Sequence, residues 1–264
     1  METMLSLLLL LGYVLLVVVL GSIMLIRGLS WFERLDRVLP MVSERRCFAY
    51  GFVAVVVAVI VELSGFFLLK EAIASGTMHS SLLLASIVVL LIGFAEEGAK
   101  LIPFVVEKGD TLTRWRFAVR GAFYFGIIEA VLYAFNLLMM GNLIAALLRF
   151  LVIMVHVVLT AIALESAIVN GSLRGGYVKA SLLHAIYDAP VIFAFLGAGD
   201  ALILIVPLAM AGFALLFSSL NRVFEVAYVL GKRKIEERRK AGLEEENPEV
   251  PSIAPEQGDF TFSP

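Results

Sequence analysis

Residues 94–100 read FAEEGAK and interrupt an apolar run that is otherwise long enough to cross a bilayer. Residues 82–92 carry no charge, and residues 101–106 resume the apolar run. Two carboxylates and an ammonium are costly in hydrocarbon, so these side chains should face a bundle interior or a water-filled cavity. At helical spacing Glu96 and Lys100 share a face, while Glu97 points about 100° away. A purely structural Glu96–Lys100 ion pair is one interpretation, but it leaves Glu97 uncompensated.

The composition places the chain among membrane proteins. Its 264 residues are 61% hydrophobic and 17% charged, with a mean hydropathy of +0.96. A soluble domain carries more charge, so the sequence predicts an all-α polytopic protein of the cell membrane, with the lipid bilayer as its surroundings. The single cysteine, Cys47, excludes an intrachain disulfide and a cysteine-rich metal site. No phosphate-binding loop or nucleic-acid signature is found, so we expect no nucleic-acid partner.

Apolar segments of about spanning length recur seven times. The predicted spans are 4–26, 47–69, 81–106, 117–140, 143–169, 177–196 and 201–229. They form a predicted transmembrane domain over 1–230, and the candidate site residues identified below all fall within about 80–195. A charged tail over 231–264 is expected to be cytoplasmic and largely disordered.

Alternate loops differ in basic residues, and this predicts the orientation. The loop after the first span carries five arginines, and lysine or arginine also follows the third, fifth and seventh spans. The loops at about 71–80, 140–142 and 197–200 are free of lysine and arginine. By the positive-inside rule, the N-terminus is predicted outside and the C-terminus in the cytoplasm.

Three later spans add ionisable residues to those of the third. They are Glu129 in the fourth span, His156 in the fifth, and His184 and Asp188 one helical turn apart in the sixth. At about 1.5 Å per residue, Glu129 and Asp188 each lie roughly 13 Å inward from the nearest basic residue. The four helices are therefore predicted to bring these groups to one level, in a cavity open to the cytoplasm. Three other acidic residues within spans are interpreted as structural or interfacial: Glu62, Glu165 and Glu225.

This set of residues suits hydrolysis. A buried glutamate can act as a general base towards water, and a second carboxylate nearby separates the roles of acid and base. Histidines can donate to a developing oxyanion, with Asp188 orienting His184. The same residue types also suit a divalent metal such as zinc, although no HExxH motif is present. Both possibilities remain open: a metal held by members of Glu96, Glu129, His156, His184 and Asp188, or no metal at all.

The pattern of motifs over about residues 80–195 resembles the PrsW family of intramembrane proteases, which is related to the type II CAAX-prenyl proteases and to APH-1. The matching motifs are Glu96-Glu97-x-x-Lys100, Phe125-x-x-x-Glu129, His156 and His184-x-x-x-Asp188. The resemblance implies peptide-bond hydrolysis within the membrane. Glu96 would be the water-activating base, supported by Glu97 and Lys100, with His184 and Asp188 at the oxyanion. Glu129 stands where the CAAX branch has a histidine. The best-known substrate in the family is a membrane-bound anti-sigma factor.

Three functions therefore compete. The first is an intramembrane endopeptidase acting on a single-span membrane protein, with Glu96, Glu97, Lys100, Glu129, His156, His184 and Asp188 as its site. The second is a non-catalytic scaffold like APH-1, against which the adjacent Glu96 and Glu97 argue. The third is a proton- or cation-coupled transporter, for which broken helices and paired repeats would be expected. The sequence indicates neither feature.

Overall fold

The computed structural model describes residues 2–74, 78–195 and 198–242, and every regular element in these ranges is an α-helix. The helices are α1 (Glu2–Asp36), α2 (Glu44–Ala74), α3 (Met78–Lys100), α4 (Ile102–Val106), α5 (Thr111–Met139), α6 (Leu143–Leu151), α7 (Ile153–Asn170), α8 (Arg174–Phe195) and α9 (Gly199–Lys240).

Six segments of the described chain are long and apolar enough to cross a membrane: Met4–Asp36, Glu44–Glu71, Leu82–Val106, Thr111–Met139, Leu143–Asn170 and Asp200–Lys240. Their outer faces expose large apolar side chains, such as Ile26, Phe67 and Ile144, each at least 70% accessible. Exposed faces of this kind suit lipid, and helices satisfy their own backbone there. The chain is therefore an all-α, multi-pass membrane protein.

Helix α8 covers residues 177–195 of the remaining predicted span, 177–196. It is 22 residues long and packs against α3, α7 and α9 within the bundle. It is not among the six segments that meet both the length and the apolarity expected of a spanning helix. Its sequence carries Lys179, His184 and Asp188 between apolar residues.

Two of the predicted spans are interrupted, so the expectation of unbroken helices is wrong. The segment 81–106 divides into α3 and α4 at Leu101. Pro103 explains this break, because proline lacks the N–H that would continue the helical ladder. The segment 143–169 divides into α6 and α7 at Val152, whose N–H turns back to the carbonyl of Arg149 at 3.4 Å. No proline or glycine marks that second break.

Helix α7 forms the centre of the bundle. Nearly every side chain in its first three turns is buried, and α1, α5, α8 and α9 all pack against it. Helix α3 lies between α2 and α8. The approach of α3 to α8 depends on Gly93, because a Cβ at that position would lie 2.6 Å from the carbonyl oxygen of Ser181. The four helices α3, α5, α7 and α8 thus meet around one interior region.

The last helix continues beyond the predicted span 201–229 into the charged tail. Helix α9 is 42 residues long and continues to Lys240, so residues 231–240 are helical. Gly231 is buried against Val38 and Leu39 in the segment after α1. A side chain farther along, Lys234, forms an ion pair with Asp110. The predicted disorder of 243–264 lies outside the described residues.

Candidate active site

All seven predicted site residues lie in one interior group, which we call the polar cluster. Helix α3 contributes three members, α5 and α7 one each, and α8 two. Five of the seven are essentially buried, and the other two are half-buried. The members are Glu96, Glu97, Lys100, Glu129, His156, His184 and Asp188.

Glu97 and Lys100 form the innermost contact of the polar cluster. Lys100 Nζ lies 2.6 Å from Glu97 Oε1, and both side chains are fully buried. The same carboxylate oxygen lies 2.7 Å from Nδ1 of His184. Lys100 Nζ is 3.8 Å from Glu96 Oε2, beyond hydrogen-bonding distance. The expectation that Lys100 neutralises Glu96 and leaves Glu97 uncompensated is therefore wrong, because residues three apart also meet on a helix.

His156 links Lys100 to Glu129. Lys100 Nζ lies 3.2 Å from His156 Nδ1, and His156 Nε2 lies 2.6 Å from Glu129 Oε2. An ammonium can only donate, so Nδ1 is assigned as the acceptor and Nε2 as the N–H that donates to Glu129. In this arrangement His156 has no N–H left for a substrate. The expectation that both histidines stand free to hold an oxyanion is not met for His156.

His184 lies between two carboxylates. Its Nδ1 faces Glu97, while its Nε2 lies 3.1 Å from Asp188 Oδ2, one turn along α8. Nε2 is also 3.5 Å from Glu96 Oε2. The predicted pairing of His184 with Asp188 is present, and Glu97 holds the other side of the ring. Contacts at both nitrogens fix the orientation of the imidazole.

Glu96 is the least satisfied member of the polar cluster. Its side chain is 1% exposed, and its Oε2, like that of Glu97, has no hydrogen-bond partner within the described residues. Glu97 differs because its Oε1 is held by Lys100 and His184, whereas the nearest described cationic groups to Glu96 lie at 3.5 and 3.8 Å. Most buried polar atoms are hydrogen-bonded, so such an oxygen calls for an explanation. A bound water, a proton or a cation would each supply one. Glu96 is thus the carboxylate best placed to accept a proton from a small ligand.

Three further residues extend the polar cluster, and the sequence interpretation did not include them. Tyr133 donates to Glu62 Oε2 at 2.5 Å, and the guanidinium of Arg149 stacks 3.9 Å from the Tyr133 ring. Arg149 also lies 3.9 Å from Glu129. One oxygen each of Glu62, Glu96 and Glu129 lies within 4.8 Å of the others. Glu62 was interpreted as structural or interfacial, whereas it contacts this site; its position in the middle of an apolar run was the available signal.

Exposure increases across the site in one direction. Glu97 and Lys100 are fully buried, whereas Arg149 and Asp188 are about one quarter exposed. At the Lys100 end, the hydroxyl of Tyr177 donates to the carbonyl of Phe94 at 2.8 Å. The more exposed members of the site therefore lie away from the end of α3, and the opening towards the cytoplasm stays a prediction.

Helices α5 and α8 both begin before the predicted spans. Glu129 is 18 residues after Thr111, or about 27 Å along α5, and Asp188 is 14 residues after Arg174, or about 21 Å along α8. The two residues still lie nine residues, or roughly 13 Å, after Arg120 and Lys179 in the same helices, as the sequence predicted.

Negative groups outnumber positive groups at this site. The five carboxylates, those of Glu62, Glu96, Glu97, Glu129 and Asp188, face two permanent cations, Lys100 and Arg149. Protonating both histidines would still leave one carboxylate in excess. A buried, uncompensated negative charge is unfavourable, so the site should take up protons or a cation.

The donor atoms are of types that bind divalent metals. Glu96, His156 and His184 each offer an atom within 4.8 Å of the others, which is a two-histidine, one-glutamate set. Catalytic zinc uses such sets, with ligand distances of about 2.0–2.2 Å. The types fit, but the assigned hydrogen bonds occupy both nitrogens of His156, so one of these bonds must break for His156 to bind. Glu129 belongs to the second acidic group, and Asp188 falls in neither group within the described residues.

Comparison of the chain with protein-family models, with curated proteins and with solved structures finds no match in any of the three. The resemblance to the PrsW family therefore depends on the four motifs in four successive predicted spans. The structure shows which of these residues meet. Their roles in a reaction are a matter for proposal.

Proposed function

We propose that the chain is an intramembrane endopeptidase that hydrolyses a peptide bond of a membrane-anchored protein, with Glu96 as the water-activating base. The observation that carries this proposal is the buried carboxylate of Glu96, which has an oxygen without a hydrogen-bond partner and no close contact such as Lys100 and His184 give to Glu97, in a polar cluster from four helices. A carboxylate used only for packing would be expected to have its hydrogen bonds satisfied.

The proposed chemistry uses the site as it stands. Glu96 accepts a proton from a water molecule, and the resulting hydroxide attacks the carbonyl carbon of the scissile peptide bond. His184 Nε2 lies 3.5 Å from the same Glu96 oxygen, so a group bound beside Glu96 is also close to His184. With His184 protonated, its Nε2–H would be shared between Asp188 and the oxyanion of the tetrahedral intermediate. The proton on Glu96 then passes to the leaving amine as the C–N bond breaks.

The remaining members position these two residues. Glu97 holds His184 from the opposite side of the ring and is itself neutralised by Lys100. Glu129 and His156 continue the hydrogen-bonded chain from Lys100 towards the exposed side of the site. If zinc is bound, Glu96, His156 and His184 would hold it, and it would supply Lewis acidity towards the carbonyl oxygen.

The proposed topology has seven spans, with α8 as the sixth, the N-terminus outside and the C-terminus in the cytoplasm of a cell. Its support is the alternation of basic and non-basic loops along the chain. The substrate class is a single-span membrane protein. The resemblance alone suggests an anti-sigma factor as one example.

A matched set of variants tests the role of Glu96. Purified full-length protein is incubated with a library of single-span substrates, with and without a chelator, and thermal unfolding is followed in parallel. Glu96→Gln should keep its unfolding midpoint and lose at least about 100-fold in cleavage, the contribution of a general base. The control Glu165→Gln removes an intramembrane carboxylate that pairs with Arg222 at 3.1 Å, and it should keep both properties.

Glu97→Gln tests the positioning role of Glu97, through its effect on the free energy of unfolding. It leaves Lys100 without its close partner, so it should lower stability by about 3–5 kcal/mol.

A Glu96→Gln protein that cleaves normally per folded molecule would refute the proposed base. Loss of cleavage with chelator, restored by zinc, would assign the metal-dependent form of the mechanism.

A transporter is the second candidate, and the two interrupted segments favour it. The α3–α4 break follows Lys100 directly, and the α6–α7 break lies four residues before His156. Broken helices beside buried ionisable residues are found in secondary transporters. Reconstituted vesicles containing a pH-sensitive dye would decide between the two. A proton flux that Glu96→Gln abolishes, with no cleavage of substrate, would favour the transporter. Neither proton flux nor cleavage would favour the non-catalytic scaffold.

A further inference from the structure

A second polar site lies between α1 and α9, apart from the polar cluster. It is a cavity of about 380 Å³, within the usual size range of small-molecule sites. Neither of these helices contributes a member of the polar cluster. We call the cavity the α1–α9 groove, and it is lined by Arg27, Ser30, Trp31, Arg34, Asn221 and Glu225.

Two arginines dominate the groove, and neither is neutralised by the protein. The guanidinium of Arg27 lies 5.8 Å from the centre of the Phe217 ring, and that of Arg34 lies 5.2 Å from the Trp31 ring. Within the described residues neither arginine comes within ion-pairing distance of a carboxylate. Stacking on a ring holds the planar group in place while its N–H donors stay available. Such a pair suits a phosphate, which arginine binds in bidentate fashion.

A hydrogen bond orients a third donor in the groove. The indole N–H of Trp31 donates to Asn221 Oδ1 at 3.0 Å. Because the amide oxygen of Asn221 accepts this hydrogen bond, the NH₂ group of the same amide is assigned to the side that faces away from Trp31. That group is therefore available for a ligand oxygen. Glu225 supplies the single negative charge of the lining.

The groove lies where the apolar part of α1 ends. Residues 5–26 are uncharged, and Arg27 is the first charged residue after them. Trp31 stands one turn farther, where an interfacial aromatic residue is expected. Phe217, whose ring lies beside Arg27, is only partly buried, and so is Leu20, two turns before Arg27 on the same face of α1; an apolar surface therefore adjoins the polar lining. A polar mouth beside apolar walls at this level suits a phospholipid.

We propose that the α1–α9 groove binds the phosphodiester headgroup of a membrane phospholipid. Arg27 and Arg34 hold the phosphate, and Asn221 donates to one of its oxygens. Two arginines and one glutamate give the lining a net charge of +1, which matches a singly charged phosphodiester. The acyl chains lie along Leu20 and Phe217, between α1 and α9.

Binding to the full-length protein in detergent tests this site. The probes are phosphatidylglycerol, diacylglycerol without a phosphate, and inorganic phosphate. Bound lipid is counted by native mass spectrometry, and the rise in unfolding temperature is followed as lipid is added. Phosphatidylglycerol should bind and stabilise, and the other two should not. The double variant R27Q/R34Q should bind at least about tenfold more weakly, as expected for the loss of one charge-assisted hydrogen bond.

The control R37Q/R45Q removes the same charge from exposed arginines outside the groove. It should bind phosphatidylglycerol as the unmodified protein does. Equal weakening in both double variants would show attraction to surface charge and overturn the proposal. Equal stabilisation by diacylglycerol would show an apolar contact only, and binding of inorganic phosphate alone would point to a soluble ligand; either result would also overturn it.

Discussion

The polar cluster and the ion-pair network at the end of α1 are both built from carboxylates and cations, but they are balanced differently. In the network, Arg116 donates to Asp36 at 2.6 Å and to the carbonyls of Leu39 and Pro40. Arg120 donates to the same aspartate and lies 3.8 Å from Glu44. Two carboxylates thus meet two arginines. In the polar cluster, carboxylates exceed the permanent cations, and a buried oxygen of Glu96 lacks a partner.

The difference separates two uses of charge in one protein. The network joins the loop after α1 to the start of α5, with Asp36 40% exposed to solvent, and its charges cancel. The polar cluster is enclosed, and its excess negative charge leaves a place for a proton, a water molecule or a cation. A charge excess in a buried site therefore indicates function better than balanced charges do here. Two substitutions test that contrast, and a third, at an exposed ion pair outside both regions, gives the smallest effect for comparison.

The largest effect is expected from Lys100→Met. Its ammonium is the only fully buried cation among the described members of the polar cluster, and it contacts both Glu97 and His156. Removing it leaves Glu97 without its close counter-charge, which should destabilise the protein by about 3–5 kcal/mol. Thermal and denaturant unfolding in detergent would measure this. The double variant Lys100→Met with Glu97→Met should recover part of the loss; if it recovers none, the pair is not the origin of the effect.

Arg116→Met should have an intermediate effect. It removes the guanidinium from two backbone carbonyls and Asp36, while Arg120 continues to neutralise that aspartate. We expect a loss of about 2 kcal/mol, the value of a hydrogen bond to a charged group. Arg120→Met is the matched control, since its guanidinium is more exposed and contacts no carbonyl in the described residues. Equal losses in the two variants would contradict the assigned role of Leu39 and Pro40.

The smallest effect is expected from Asp110→Asn, which probes an exposed pair. Burial raises the pKa of Asp110, but Lys234 and the hydrogen bonds from Thr113 outweigh this and lower the pKa to about 2. Because the pKa is lowered on folding, the ionised carboxylate stabilises the fold at pH values above its ordinary pKa of about 3.9. This contribution is lost as the pH falls towards 2. The side chain is 39% exposed, so the loss at neutral pH should be at most about 0.5 kcal/mol.

Asparagine can still cap α5, so Asp110→Asn isolates the ion pair from the capping hydrogen bonds. The difference in unfolding temperature between the unmodified protein and the variant should shrink between about pH 5 and pH 2. Lys234→Gln should produce the same small change, and the two substitutions together should add little. A difference that grows on acidification would have the wrong sign for this ion pair.

The sequence predicted the helical, membrane-spanning character correctly because hydrocarbon allows so few backbone structures. It also identified the seven residues that the structure brings into one cluster. The break at Leu101 could be predicted from Pro103, which lacks the backbone N–H needed to continue the helical hydrogen bonds. The break at Val152 has no such signal in the sequence, since neither proline nor glycine lies beside it.

The pairing within the polar cluster was predicted less well. Residues three and four apart on a helix can both reach a lysine, so spacing alone does not choose between Glu96 and Glu97. Glu97 also approaches His184 on α8, a partner that local sequence does not reveal. Glu62 was missed for the same reason. Its place beside Glu129 depends on how α2 packs against α5, which no motif records.

The packing of α1 against α9 has a consequence for how the protein is made. A nascent chain leaves the ribosome from its N-terminal side, so α1 enters the membrane long before α9 exists. Helix α1 touches α6 and α7, but its main partner is α9. During synthesis its apolar seam must therefore be covered by lipid or by an insertion chaperone. The contact of α1 with α9, and the ion pair of Lys234 with Asp110, can therefore form only after α9 has been synthesised.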